Sequence, residues 1–295
     1  MKKIFGSLLI IMVLMLSTLL PFNFSHAFAQ ETSSISISSS SSVAGGAATG
    51  ETIILATTYS VFDTGLLDSV LKEFKEKTGI TVKPIVVGSG ESLKMGERGE
   101  CDIILAHSPA LEEKFMEAGF GKDRKTFAKN EFYIVGPAKD PAGIKNSADV
   151  FGAFAKLDSA GVFISRGDNS GTHNREIAIW KKAGAVKTPG PAYIVTGLGM
   201  AETLKMADEK QAYTLCDSAT YTFMAEKMEL KNIYADAKNL SNYYSVITVN
   251  PEKTRHAKYE PAKKLYDYIL SAETLKFIGE FGKEKFNRTL FDLVE

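Results

Sequence analysis

Cysteine is almost missing from this chain of 295 residues, and the shortage excludes a disulfide scaffold. Only Cys101 and Cys216 occur, each at the end of a predicted buried strand and far apart in the order of elements. Two free, buried thiols are expected, with a bridge as the alternative. Histidine is also scarce, with four in all, and no Cys/His/Asp cluster has metal-ligand spacing, so no metal site is expected. Neither charge sign dominates: 35 Lys and Arg stand against 35 Asp and Glu. That balance excludes a general affinity for nucleic acid or for anionic membrane. Long apolar runs are absent except for one, Leu8 to Leu20.

That run follows Lys2 and Lys3 and is followed by Pro21 and the small-x-small site Ala27-Phe28-Ala29. The layout is that of a secretory signal peptide, 1–29, and the run is short for a spanning helix. Cleavage is expected after Ala29, with Ala27 the other site and an uncleaved anchor the bland reading. No cysteine lies beside the segment, which argues against a lipoprotein anchor. Export would leave 33 basic and 35 acidic side chains, a formal charge of −2, so an anion site must come from local geometry. Residues 30–50 are Ser-rich, nearly free of apolar side chains, and read as a flexible tether.

From Glu51 onward, strands and helices alternate. Thr52–Ala56 reads as a strand, and Leu66, Leu67, Val70, Leu71 and Phe74 form a helical stripe stopped by Gly79. Ile80–Val87 is a strand that Pro84 marks as an edge or a bulge. Cys101–Ala106 is a third strand. Gly121–Glu131 reads as a charged loop before the strand Phe132–Val135. Further strands are expected at Ala192–Thr196, Ala212–Leu215 and, last, Tyr244–Val249. This alternation predicts an α/β fold of two sheets, about five strands each, mostly parallel with helices on both faces.

The densest turn is Ser165-Arg166-Gly167-Asp168-Asn169-Ser170-Gly171-Thr172-His173, between the strand at Gly161–Ile164 and a helix. A strand breaking into a helix N-terminus presents free N–H groups and the positive end of the helix dipole. Hydroxyls and a guanidinium added there suit a small oxyanion. Two other turns, Thr57–Ser60 and Gly88–Gly90, are hydroxyl-rich and lie beyond strand ends, where α/β sheets bind ligands. Together they suggest a cleft between two lobes.

Ala56-Thr57-Thr58-Tyr59-Ser60 with Asp63–Asp68, then Gly88-Ser89-Gly90, Ser165–His173, Gly197-Leu198-Gly199-Met200 and Ala212–Leu215, in this order, resemble the tungstate-binding periplasmic proteins of ABC importers. The resemblance implies a two-lobed type II periplasmic binding protein fold joined by two hinge strands, with lobe I at 51–132 and 247–295 and lobe II at 133–246. It implies a periplasmic solute-binding protein, not an enzyme, that delivers tungstate, with molybdate second, to membrane permease subunits. A monomer without cofactor is implied. Carried over by position, the ligand contacts are Thr57, Thr58, Ser60, Ser89, Arg166, Ser170, Gly171 and Thr172. Tyr59 and Val61 stand where the family commonly has threonine, as does Ser89, while Cys216 and Ser218 replace a common Thr and Arg.

Blander readings stand beside these. Arg166 could form a structural ion pair with Asp168, and Thr57, Thr58 and Ser60 could be turn and cap hydroxyls. His173 with Ser165 or Ser170 could suggest a hydrolase, but no elbow motif or third partner accompanies them. His107 reads as a turn residue and Trp180 as core. Composition alone leaves phosphate open, because Asp168 could accept the proton that phosphate keeps near neutrality.

Overall fold

In the computed structural model, residues 50–294 are described; the signal peptide and nearly all of the tether expected from the sequence lie outside them. The first lobe begins with β1 (Thr52–Thr57), α1 (Tyr59–Asp63), α2 (Leu66–Thr78) and β2 (Thr81–Val86). It continues through α3 (Ser89–Arg98), β3 (Ile103–Ala106), α4 (Pro109–Glu117) and the first part of β4 (Gly121–Gly136). The second lobe holds α5 (Val150–Ala160), β5 (Phe163–Ser165), α6 (Gly171–Lys182), β6 (Tyr193–Val195), α7 (Met200–Glu209), β7 (Tyr213–Asp217), α8 (Ser218–Met224) and β8 (Lys231–Ala235). The chain then returns through β9 (Ser241–Val249), α9 (Tyr259–Ile269), α10 (Ala272–Glu280), α11 (Lys283–Phe286) and β10 (Asp292–Leu293).

One strand order occurs twice. Lobe I runs β2-β1-β3-β9-β4 and lobe II runs β6-β5-β7-β4, with β8 on the far side of β4. In each lobe three strands are parallel, and a strand arriving from the other lobe is inserted antiparallel beside them. Parallel strands end together, so every strand-to-helix turn of a lobe opens on the same side. Pro84 sits on β2, the edge of the first sheet, where its missing N–H costs no ladder bond.

One expectation is corrected. Residues 121–131 are strand, not a charged loop: β4 pairs with β9 from Gly121 to Glu131. Its lysines Lys122 and Lys125 point outward while Phe127 and Ala128 are buried, the one-sided pattern an antiparallel strand permits. β9 pairs with β4 from Ser241 onward. The two crossings lie side by side. Glu131 pairs with Ser241 in one sheet, Phe132 pairs with Asp217 in the other, and Phe132 N donates to Leu240 O at 2.7 Å.

Each sheet is covered on both faces. In lobe I, α2 lays Leu66, Leu67, Val70 and Phe74 against β1 and β3 together with Leu265 of α9 and Ile278 of α10. Leu93 and Phe115 from α3 and α4 cover the other face. Lobe II centres on an aromatic cluster in which Trp180 lies 4.4 Å from Phe154 and 5.4 Å from Phe163 between ring centroids, so Trp180 is core. Cys101 and Cys216 are free and buried, and burial pushes the Cys101 thiol up to about 12, which keeps it protonated and inert.

Candidate functional site

The turns after β1, β2 and β5 converge. Val87 N donates to Thr57 O at 2.9 Å, which brings the end of β2 alongside the end of β1. Gly88 then abuts the other lobe: a Cβ there would lie 2.8 Å from Ser170 Cα. Gly171 is as close to lobe I, since a Cβ on it would lie 2.6 Å from His107 Cε1. Glycine stands at both positions because the two backbones meet there, so the jaws are in van der Waals contact.

The residues expected at the site are buried side by side with this contact: Thr57, Thr58, Ser60 and Ser89 from lobe I, and Arg166, Ser170, Gly171 and Thr172 from lobe II. Two of the lobe I hydroxyls, Thr57 Oγ1 and Thr58 Oγ1, are buried with no hydrogen-bond partner among the described residues. Thr58 occupies the N-cap of α1 but its side chain does not cap, so the bland reading fails there. A buried hydroxyl without a partner costs about 1–3 kcal/mol.

The serines are different, because each oxygen already accepts a bond. Ser60 Oγ accepts from Tyr244 OH at 3.0 Å, Ser89 Oγ from His107 N at 3.1 Å, and Ser170 Oγ from His173 N at 3.2 Å as the N-cap of α6. An oxygen used as acceptor leaves its own O–H free, so these three hydroxyls are set as donors.

Arg166 is 4% exposed and held at several points. Its Nη2 donates to Asp168 Oδ2 at 2.5 Å and its Nε to Leu198 O at 3.3 Å, while the Tyr59 ring centroid lies 5.1 Å from Cζ. The ion pair that competed with a ligand role is therefore real, yet it leaves Nη1 without a protein acceptor among the described residues. Asp168 Oδ1 accepts from Ser170 N at 3.1 Å, so both of its oxygens are engaged.

The surroundings are not uniformly positive. Burial, with Glu202 and Asp217 nearby, pushes the Asp63 carboxyl up to about 6, against the pull of Arg166. Asp63 Oδ2 has no partner among the described residues. Beneath the Arg166 strand, Glu176 accepts from Ser165 Oγ at 2.7 Å, Tyr193 OH at 2.6 Å and Trp180 Nε1 at 3.1 Å, and burial raises it to about 7. Ser165 is thus committed to Glu176, and His173 Nδ1 accepts from Asn169 N, so neither forms a Ser–His pair at this turn.

Sequence reasoning missed a buried network behind the jaws. His107 lies in the turn between β3 and α4, as expected, but it is also 5% exposed, stacks on Tyr244 at 5.2 Å, and its Nδ1 lies 2.9 Å from Asn242 Oδ1. Asn242 Nδ2 donates to Asn130 Oδ1 and to Tyr244 OH, and Tyr244 reaches Ser60. Burial lowers His107 to about 4, so it is neutral at pH 7, with the proton on Nδ1 facing the Asn242 oxygen. These bonds tie Ser60 and Ser89 to the hinge strands β4 and β9. His107 and Asn242 are 135 positions apart, and no local pattern signals the pair.

Among the described residues, no group of three or more His, Cys, Asp and Glu side chains is arranged to hold a metal ion, and no helix is long and apolar enough to cross a membrane. A family profile, the PBP superfamily domain, matches residues 41–273. The tungstate-binding protein TupA of Peptoclostridium acidaminophilum is 47% identical over 242 residues, 81% of this chain and 84% of that protein. That of Campylobacter jejuni is 35% identical, over 79% of this chain and 87% of its own. Among solved structures, the tungstate ABC transporter protein of Geobacter sulfurreducens is 41% identical with a TM-score of 0.69, covering 78% of this chain and 99% of that one. The tungstate-binding protein of Desulfovibrio alaskensis is 40% identical with a TM-score of 0.66, covering 83% and 99%.

Proposed function

This chain belongs to the PBP superfamily and, within it, to the tungstate-binding proteins, and from that premise we propose that its interlobe cleft captures tungstate for an ABC importer. The observation that carries the reading is the pair of buried, unpartnered hydroxyls of Thr57 and Thr58 in jaws that also hold a buried arginine. The oxyanion enters between open lobes, and lobe closure exchanges its hydration shell for protein donors. Thr57, Thr58, Ser60, Ser89 and Thr172 supply hydroxyls, Ser170 a hydroxyl, the Gly171 backbone an N–H at the start of α6, and Arg166 a charged donor.

The donors gathered at the site, the Arg166 guanidinium with hydroxyls from both lobes, favour a fully deprotonated dianion. Asp168 already accepts from Arg166 Nη2 and from Ser170 N, so a proton on the ligand would compete with bonds made there. Tungstate, molybdate and sulfate carry no such proton at neutral pH; phosphate does. Family membership ranks tungstate ahead of molybdate. Titration calorimetry of the chain from residue 30 onward against all four anions tests this, with tungstate expected to bind tightest. Phosphate binding of comparable strength would overturn the assignment.

The remaining parts of the reading are export to the periplasm, a cut after Ala29 that N-terminal sequencing of the exported protein reads, and monomeric delivery of the anion to membrane permease subunits. No cofactor or enzymatic step enters this account.

A further inference from the structure

One face of the Arg166 guanidinium is covered by an aromatic ring from the opposite lobe. Tyr59 opens α1 on lobe I, directly after Thr58, and its ring centroid lies 5.1 Å from Arg166 Cζ. The same ring meets lobe II again at Gly199, the residue before α7. A Cβ on Gly199 would lie 3.0 Å from Tyr59 Cε1 and 3.1 Å from Cδ1. Gly199 has φ −62° and ψ 172°, which any residue adopts, so glycine serves there by the room it leaves. The ring is therefore confined between a cation and a backbone, both belonging to the other lobe.

We propose that Tyr59 is a positioning residue that clasps the two lobes over the bound oxyanion and slows its release. The inference rests on the oxyanion-binding reading above. Asp168 holds Nη2 and the Leu198 carbonyl holds Nε, both from within lobe II. Tyr59 alone among these partners comes from lobe I, so its contact with Arg166 forms when the lobes meet and is lost when they part. A ring over a desolvated guanidinium attracts it electrostatically. It also excludes water from that face, and charge-assisted bonds strengthen as the local dielectric falls. Interactions made only in the closed state slow opening, and opening is the step by which a buried ligand leaves.

A double-mutant cycle tests the clasp by stopped-flow release of tungstate from the wild type, Tyr59→Ala, Gly199→Ala and the double variant, with Tyr59→Phe as control. Tyr59→Ala is expected to release tungstate about tenfold faster, whereas Tyr59→Phe stays within about twofold because the ring carries the effect. Gly199→Ala is expected to speed release by about tenfold when Tyr59 is intact, and by about twofold or less in the Tyr59→Ala background, where the new methyl has room. Glu202 Oε2, 2.9 Å from the same methyl position, ends a flexible side chain that can swing aside, so the coupling reads the ring. The melting temperature of the ligand-free variants is expected to stay near the wild-type value, which separates a clasp from a fold-stabilising contact. Wild-type release from Tyr59→Ala, or independent effects of the two substitutions, would overturn the proposal. Should the wild type prefer molybdate, sulfate or phosphate, the ligand assignment fails and the cycle is run with the preferred anion, on which the clasp still stands or falls.

Discussion

The lobe I and lobe II jaws differ in the charge they bring to the cleft and in how far their polar groups already have partners. In lobe I, Thr57 and Thr58 keep buried hydroxyls with nothing to bond. In lobe II, Arg166 is tied to Asp168 and Leu198, and the Ser170 oxygen caps its helix. A dianion leaving water needs a counter-charge already aimed at it, and it needs dipoles to replace its hydration shell. A flexible guanidinium would lose much rotamer entropy on binding, so holding it beforehand lowers that cost. Hydroxyls left open carry their penalty in the empty cleft and recover it when the anion arrives. The charged jaw is preorganised, and the neutral jaw is left unsatisfied.

The largest effect should come from breaking the charged jaw. Arg166→Ala is expected to weaken tungstate binding by about 2–5 kcal/mol in calorimetry, since it removes the buried cation of the cleft and leaves Asp168 to repel the ligand. The ligand-free melting temperature should shift far less, because Asp168 keeps its bond from Ser170 N and is partly solvated. A collapse of apo stability with binding preserved would make Arg166 a structural residue.

Breaking the neutral jaw should give a smaller effect of opposite sign on stability. Thr57→Val and Thr58→Val, which keep shape and remove a hydroxyl, are each expected to weaken binding by about 1 kcal/mol. Each should also leave the empty protein as stable as before or slightly more so in thermal unfolding, since an unpartnered polar atom disappears. A loss of apo stability would mean those hydroxyls already have partners.

A test of a different kind concerns pH and Asp63, the carboxylate on the neutral jaw's helix whose charge is disfavoured by those of Glu202 and Asp217 in lobe II. Burial first, then those two carboxylates, raise it from the usual 3.8 to about 6, so the folded protein holds that proton more tightly than the unfolded chain does. Stability from this group is therefore full below about pH 4 and is lost as pH rises through 6. Asp63→Asn should remove that loss. The melting temperature of the ligand-free variant is expected to gain on the wild type between pH 4 and pH 7, and parallel curves would count against the assignment. Glu176, raised to about 7, and His107, lowered to about 4, contribute their own pH dependence equally to both proteins.

Much of this was legible in the residues. The run Leu66, Leu67, Val70 and Phe74 is an amphipathic stripe, and it packs on β1 and β3 as its period requires. The turn Ser165–His173 carried its own helix-start chemistry, with Ser170 capping α6. What escaped was decided at long range. The charged segment 121–131 becomes strand because β9, more than a hundred residues later, pairs with it. His107 is the turn residue it looked like, but its buried partnership went unseen because Asn242 lies 135 positions away.

By itself, the sequence determined where strands yield to helices and which hydroxyls and which arginine sit at those ends, since capping, turn chemistry and hydrophobic period act over a few neighbours. Only the tertiary structure decided which of those groups already have partners. Whether Thr57 is orphaned, Asp168 engaged and Tyr59 laid over Arg166 depends on how two lobes meet, and that is a property of contacts between distant segments.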